Sequence, residues 1–187
     1  MKWNLGFPAN LVADGEYPVL SRGQEIDSFA LEFHPRTLRS VQAAAKQATL
    51  SVGCDYRIVA QVLYISDEAC LLDFGLLAVC SLPGRDVPRD VRAGSYVAGV
   101  IYVGIPLCIP TIPEQFMGSL KHRWRIESIS ANITPLVETI NSSGQKFRRY
   151  DESKIAYEGA ESTNTGAMDY VLHCELLINL TSFRSVG

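Results

Sequence analysis

The chain has 187 residues, a length that fits a single domain with a substantial buried core. Hydrophobic residues make up 47% of it and charged residues 20%, a balance that excludes an intrinsically disordered protein. The formal net charge of −3 argues against the basic excess that is typical of duplex-binding domains, although it leaves room for a local basic groove.

Features that mark secretion or membrane insertion are missing from the sequence. The N-terminal residues include Pro8 and Asn10 and lack the apolar core of a signal peptide. No stretch approaches the roughly 18–20 apolar residues of a membrane span. We therefore expect a soluble, cytoplasmic protein without a membrane partner. The five cysteines have no repeated short spacing, which favours buried thiols over a disulfide scaffold or zinc site. They are Cys54, Cys70, Cys80, Cys108 and Cys174.

The first 51 residues are predicted to form an arm, a strand and a helix. Residues 1–24 mix aromatic residues with glycine and proline, so we interpret them as an irregular arm. Residues 25–51 begin with a clean alternation over 28–34, which indicates a half-buried strand. Thr37 then resembles a helix N-cap. Apolar residues follow at helical spacing, which predicts one flanking helix. They are Leu38, Val41, Ala44, Ala45 and Ala48.

Residues 52–137 are predicted to form the barrel core. They contain apolar runs rich in Val, Ile, Tyr and Leu that are cut by turn residues, as consecutive antiparallel strands are. Asp73-Phe74-Gly75 predicts a turn or bulge. Residues 96–107 are apolar on both alternating sets, so this strand should be covered on both faces. A polar connection precedes it at residues 83–94.

The strand predicted from residue 122 is bent. It follows prolines that end sheet pairing and a helical turn expected at residues 113–117. Its apolar residues change phase by one position, which predicts a bulge near Glu127 and Ser128. Trp124 is expected to point into the core.

The last third of the chain is predicted to contain a loop and a closing strand. Residues 138–168 are polar and rich in Gly, Ser and Thr, which indicates a long loop or a mobile hairpin. Residues 169–187 should form the closing strand and an exposed tail, with Tyr170, Leu172 and Cys174 on the buried side.

These elements together predict a mainly β protein with minor α content. Their order over residues 52–137 resembles an OB-fold-type barrel, that is, a small, partly open antiparallel β-barrel. The resemblance rests on architecture and carries over no functional residues. It implies that the barrel face and loops bind oligonucleotides, oligosaccharides or proteins.

Two segments alternate cations with aromatic residues, the combination that single-strand grooves use for phosphate attraction and base stacking. A solvated charged face beside a core tryptophan would show the same pattern in the first segment. The acidic residues Asp151 and Glu152 directly follow the second segment and weaken its field. The candidate nucleic-acid-binding residues are Lys121, Arg123, Arg125, Lys146, Phe147, Arg148, Arg149 and Tyr150.

No catalytic signature emerges from the sequence. The histidines His34, His122 and His173 form no metal-binding spacing, and no carboxylate pair is spaced for acid–base work. His173 and Cys174 are adjacent and therefore point to opposite faces of a strand. We accordingly predict no catalytic, cofactor-binding or metal-binding residues.

The resulting hypothesis is a non-enzymatic binding module that recognises a protein partner, such as an adaptor, an assembly subunit or an immunity-type protein. A single-stranded nucleic-acid-binding OB-like protein is the alternative, and an enzyme of unrecognised type is the second alternative. The apolar exposed sides of the closing strand and of residues 96–107 also make a homo-oligomer an option.

Overall fold

The structure, a computed structural model, describes residues 1–81, 87–141 and 143–177. Within these residues the chain forms thirteen strands and two short α-helices, α1 (Asn10–Ala13) and α2 (Glu114–Met117). The strands are β1 (Lys2–Pro8), β2 (Glu25–Phe29), β3 (Glu32–Val41), β4 (Gln47–Val52), β5 (Asp55–Ile65), β6 (Ala69–Asp73), β7 (Leu77–Ser81), β8 (Tyr96–Gly104), β9 (His122–Asn132), β10 (Leu136–Ile140), β11 (Lys146–Tyr150), β12 (Tyr157–Ala160) and β13 (Asp169–Leu176).

Five of the strands form a ring. β5 pairs with β6 and β6 pairs with β7, both antiparallel, and β8 pairs antiparallel with both β5 and β3. The ring closes between β3 and β7 through one parallel bridge, Glu32 to Val79. Because this closure is a single bridge, the ring is a partly open barrel, as predicted, and the mainly β class is confirmed.

The second half of the molecule is built around β9. One edge of β9 pairs with β13, and its other edge pairs with β12 and β2. β13 pairs in turn with β1, which meets the ring at the parallel bridge Gly6 to Gly104. The barrel therefore uses β3, from the segment predicted to lie outside it, whereas β9 belongs to this second half.

The prediction of a flanking helix that begins at Thr37 is wrong. Thr37, Leu38 and Arg39 belong to β3, where they pair with Val100, Gly99 and Ala98 of β8. Residues 47–52 form β4 along β5. Pairing with β8 and β5 supplies backbone hydrogen bonds along both segments, so tertiary context overrides the helical spacing of the apolar residues.

Other sequence predictions agree with the structure. The turn at Gly75 has a φ of 104°, α2 forms the expected helical turn, and Glu127 is the unpaired residue of a bulge in β9. Residues 138–168 contain a hairpin, β10–β11, and the strand β12.

The two ends of the chain differ from these segments. Residues 1–24, expected to be irregular, contain β1 and α1. The end of the predicted closing strand and the tail, at residues 178–187, lie outside the described residues.

The two halves share one hydrophobic core. It combines Trp3, Leu5 and Phe7 of β1 with buried residues of the ring and of the β9 half. Trp124 is fully buried in this core, as predicted. A smaller cluster covers the outer face of β6 and β7 with residues that follow β8. Of the helices in the described part of the chain, none is long and apolar enough to cross a membrane.

The chain itself covers both faces of the strands that suggested a second subunit. Val171 is buried, and along β8 both alternating sets of side chains are buried or half-buried. These faces therefore give no reason for self-association, because the apolar surface that motivated it is already covered.

Gly6 and Gly104 bring the two halves close together. A Cβ added at Gly6 would lie 1.5 Å from the Tyr102 hydroxyl oxygen, and one at Gly104 would lie 3.0 Å from the Gly6 carbonyl oxygen. The Tyr102 side chain therefore lies directly against the glycine backbone where β1 meets β8.

We expect the substitution Gly6→Ala to lower the free energy of unfolding by about 1–3 kcal/mol, because the new methyl group overlaps a half-buried ring. Urea unfolding measures the change. The matched control is Gly159→Ala in β12, where a Cβ meets nothing within 4 Å. Equal stability of the two variants would contradict the close approach at Gly6.

Candidate functional site

A cleft of about 320 Å³ opens where the ring meets the β9 half. We call it the tyrosine cleft. Residues from β3, β8, β9, β11, β12 and β13 line it, so the ring, the β9 half and the hairpin all contribute. Clefts with convergent aromatic and polar groups are the usual form of a binding site. The principal lining residues are Arg36, Tyr102, Asn132, Tyr150, Tyr157 and Asp169.

A β-bulge places Arg36 at this cleft. Pro35 pairs with Ile101 and Thr37 pairs with Val100, so Arg36 is the extra residue of β3. Bulges commonly redirect a side chain next to a functional site. The Arg36 guanidinium carbon lies 5.5 Å from the centre of the Tyr102 ring, and its Nε lies 3.3 Å from Asp55 Oδ1. A cation therefore already rests over one aromatic face at the rim.

Asp169 is the carboxylate of the cleft, at the start of β13. The Tyr150 hydroxyl donates to Asp169 Oδ2 at 2.5 Å, a length typical of a hydrogen bond to an ionised carboxylate. Among the side chains that the structure describes, no Lys, Arg or His forms an ion pair with Asp169. The cleft thus holds a half-buried negative charge that is satisfied on one oxygen by a neutral donor.

Two tyrosines and the cysteine of the cleft are held in their neutral forms. Burial raises the pKa of Tyr102 and of Tyr150, and the charge of Asp169 raises both further. Burial, followed by the negative charge of Asp55, raises the pKa of the Cys54 thiol to about 12. At neutral pH these groups are hydrogen-bond donors, and the Cys54 thiol is not an activated nucleophile.

A second cavity of about 510 Å³, which we call the hairpin cleft, lies at the base of β10–β11. Asn132 and Tyr150 line both clefts, so the two are adjacent. Its lining includes the exposed apolar residues Ile133, Leu136 and Met168. The combined surface is apolar towards the hairpin and aromatic with a carboxylate towards the ring.

The structure separates the two predicted basic–aromatic segments. Lys121, Arg123 and Arg125 lie at the beginning of β9, whereas the second segment coincides with β11, beyond the end of β9. Along β9 about seven residues separate Arg125 from Asn132, which is roughly 23 Å of strand. The two segments therefore do not form one continuous groove.

Carboxylates pair with both arginines at the beginning of β9. Arg123 contacts both Glu25 and Asp27 at 2.9 Å, and Arg125 contacts Glu25 at 2.8 Å and Glu175 at 3.6 Å. These neighbours offset the positive charge that phosphate binding requires.

The positive charge of the second segment, at β11, is less fully neutralised by carboxylates. Lys146 pairs with Glu138 at 2.9 Å, while Arg148 and Arg149 are exposed beside Phe147. Of the predicted nucleic-acid-binding residues, Tyr150 alone lines the clefts.

A polar chain that the sequence did not reveal crosses the outer face of the β9 half. Ser130 Oγ lies 2.9 Å from His173 Nε2, and His173 Nδ1 lies 2.9 Å from Asn4 Oδ1. This order resembles a nucleophile, a base and an orienting group. However, β9 pairs at Ser130 with Val171 on one edge and Gly159 on the other, which leaves no adjacent backbone site for an oxyanion.

We therefore interpret this chain as a structural link. Asn4 Nδ2 donates to the Gly53 carbonyl at 2.9 Å, and the backbone N–H of Asn4 donates to the Tyr56 hydroxyl at 2.7 Å. The network thus ties β9, β13 and β1 to the turn that precedes β5. Among the described residues, no three His, Cys, Asp or Glu side chains gather as a metal site would require.

No protein-family model matches the chain, and comparisons with curated proteins and with solved structures find no match. The candidate site therefore rests on its geometry and chemistry alone.

Stability should depend on pH through two half-buried histidines, His122 and His173. Burial lowers the pKa of His173 and of His122 from the ordinary value of 6.5, so folding favours their neutral forms. Their contribution is fully present above about pH 6.5 and is lost as the pH falls towards the lowered folded-state values. Thermal unfolding between pH 7.5 and 5 measures it, with His173→Gln giving a shallower decline. The same decline in both proteins would show that His173 does not titrate on folding.

Because carboxylates pair with Arg123 and Arg125, we expect only weak binding of single-stranded DNA or RNA at low salt. Fluorescence anisotropy with labelled oligonucleotides measures it at two salt concentrations. Tight binding that weakens steeply with salt, and that Arg148→Glu with Arg149→Glu lowers, would instead support the nucleic-acid alternative.

Proposed function

We propose that the protein is a non-enzymatic binding module that recognises a protein partner through the β10–β11 hairpin and the clefts at its base. The observation that carries the proposal is the position of the exposed apolar side chains. Of the thirteen large ones in the described chain, seven lie within residues 133–168. Exposed apolar surface of this extent is typical of an interaction site, and Ile140 and Phe147 extend it to both faces of the hairpin, because Phe147 pairs with Thr139 and Ile140 with Lys146. The seven are Ile133, Leu136, Ile140, Phe147, Ile155, Tyr157 and Met168.

The hairpin also offers unpaired strand edges. In the described chain β10 and β11 pair only with each other, as a two-stranded sheet separate from the main one. Such edges can accept an added strand through backbone hydrogen bonds, while alternate side chains of the added strand occupy neighbouring pockets. We propose an extended segment of a different protein as the occupant, with apolar side chains that enter the hairpin cleft.

The charge around the clefts favours a protein over a nucleic acid. Asp169 lines the tyrosine cleft and Glu158 lines the hairpin cleft, and both would repel phosphates. Lys146, on the hairpin, is already paired with Glu138. Arg148 and Arg149 remain exposed beside Phe147, and the lining of the clefts adds apolar and aromatic side chains, a combination that suits a protein partner.

The hairpin is the place to test this proposal. We expect a double variant, Ile140→Ser with Phe147→Ser, to lower the recovery of a stoichiometric partner from native lysate by about tenfold or more, because it removes two exposed apolar contacts. The matched control is Leu50→Ser with Val52→Ser, which removes exposed apolar side chains from β4 instead. Quantitative mass spectrometry of the captured proteins measures the recovery.

Three results would contradict the proposal. The first is equal recovery with the hairpin variant and the control variant, and the second is the absence of any stoichiometric partner. The third is self-association of the purified protein that depends on Ile140 and Phe147, because the occupant would then be a second copy of the chain. Light scattering coupled to size-exclusion chromatography detects it.

A further inference from the structure

Asp169 and Arg36 are the charged residues that line the tyrosine cleft, and their situations differ. Arg36 is exposed and already has a carboxylate partner, Asp55. Asp169 is half-buried and accepts a hydrogen bond from Tyr150 through Oδ2, while no cation among the described residues pairs with it. A half-buried carboxylate of this kind gains most from a cation, because partial burial weakens solvent screening.

We propose that the tyrosine cleft binds an alkylammonium group, supplied by a lysine-type side chain of the protein partner. Tyr102, Tyr150 and Tyr157 would surround the cation with aromatic rings, and Asp169 would neutralise it. The identity of the source rests on the proposed function, whereas the affinity of the cleft for an alkylammonium does not.

The aromatic lining supports a cation as the ligand. The face of an aromatic ring carries a negative partial charge and attracts cations within about 6 Å, and rings of this kind form the sites that recognise quaternary ammonium groups. One face in this cleft already shows the behaviour, because the Arg36 guanidinium carbon lies 5.5 Å from the Tyr102 ring centre. Three tyrosines from β8, β11 and β12 line the same space.

The size and charge of the cleft favour a single cationic side chain over other ligands. A volume of about 320 Å³ lies at the lower end of the range for ligand pockets, which suits one side chain better than an extended ligand. An anion would meet the Asp169 carboxylate, which lines the cleft. A purely apolar group would leave that carboxylate partly desolvated without compensation.

Arg36 has a defined effect in this arrangement. Its guanidinium lies at the rim and repels a second cation, and its ion pair with Asp55 keeps it there at an Nε to Oδ1 distance of 3.3 Å. Removing this charge should therefore strengthen alkylammonium binding, whereas removing the Asp169 charge should weaken it. Opposite effects of the two substitutions on choline affinity would distinguish a specific cation site from nonspecific binding.

The test is an NMR titration of the full chain labelled with ¹³C in its tyrosine rings. Choline is the cationic probe, and 3,3-dimethyl-1-butanol is the uncharged probe of the same shape. We expect choline to shift the resonances of Tyr102, Tyr150 and Tyr157 and to bind about two- to thirty-fold more tightly than the alcohol, the range of cation–π contributions. Equal affinity for the two probes, or no shift with choline, would overturn the proposal.

Variants assign the effect to the cleft. Asp169→Asn keeps an acceptor for Tyr150 and should weaken choline binding by roughly five-fold, whereas Arg36→Gln should strengthen it by roughly two-fold. The matched control is Asp67→Asn, an exposed carboxylate in the turn after β5. Tyr157→Leu, at a largely exposed side chain, is the second cleft variant if Asp169→Asn does not fold. Choline binding that none of the cleft variants changes would overturn the site.

The same variants separate this proposal from the proposed function. Loss of partner recovery with the hairpin variant and a lower recovery with Asp169→Asn would support a lysine-type side chain of the partner as the source. Unchanged recovery with Asp169→Asn, together with weakened choline binding, would overturn that source and leave the hairpin interaction in place. Failure to recover any partner would overturn the proposed function, while the choline titration would still decide whether the cleft binds an alkylammonium.

Discussion

The contact between β1 and β8 is the constraint on which the rest of the structure depends. At this point two glycines, Gly6 and Gly104, let the backbones of the two halves approach, and the ring of Tyr102 lies against them. The same ring lines the tyrosine cleft and carries Arg36 over one face. A side chain other than hydrogen at Gly6 would move the ring, and with it the cleft wall. The close packing of the two halves and the position of one cleft wall therefore depend on the same contact.

Local pattern predicted most of the strands because their period is visible in a short window. Residues 96–107 and 169–176 show this best, since one shows apolar residues on both faces and the other a clean alternation. The failure at Thr37 has the same origin, because a helical spacing of small apolar residues is also local. Pairing with β8, about sixty residues later, decided the outcome there, and no short window contains that information.

The candidate site was much less predictable than the fold. Its residues extend from Arg36 to Asp169, and each looks ordinary in its own segment. The sequence shows the cations Arg123 and Arg125 but not their pairing with Glu25, which lies about a hundred residues earlier and contacts both. The bulge that directs Arg36 towards the cleft depends on the register between β3 and β8. Charged and aromatic residues can be counted in the sequence. Which of them contact each other depends on how the strands are paired, and the sequence does not show this directly.

The pairing of β1 with β13 has a consequence for how the chain reaches this structure. Asn4 and His173, which hydrogen-bond to each other, are 169 residues apart, so the contact closes nearly the whole described chain into a loop. The ring strands lie within residues 32–104 and can assemble from much nearer neighbours. Long loops are entropically costly to close, and native contacts distant in sequence slow folding. During synthesis the ring would thus be available before β13 emerges, and β1 would remain without its partner strand until β13 has been synthesised.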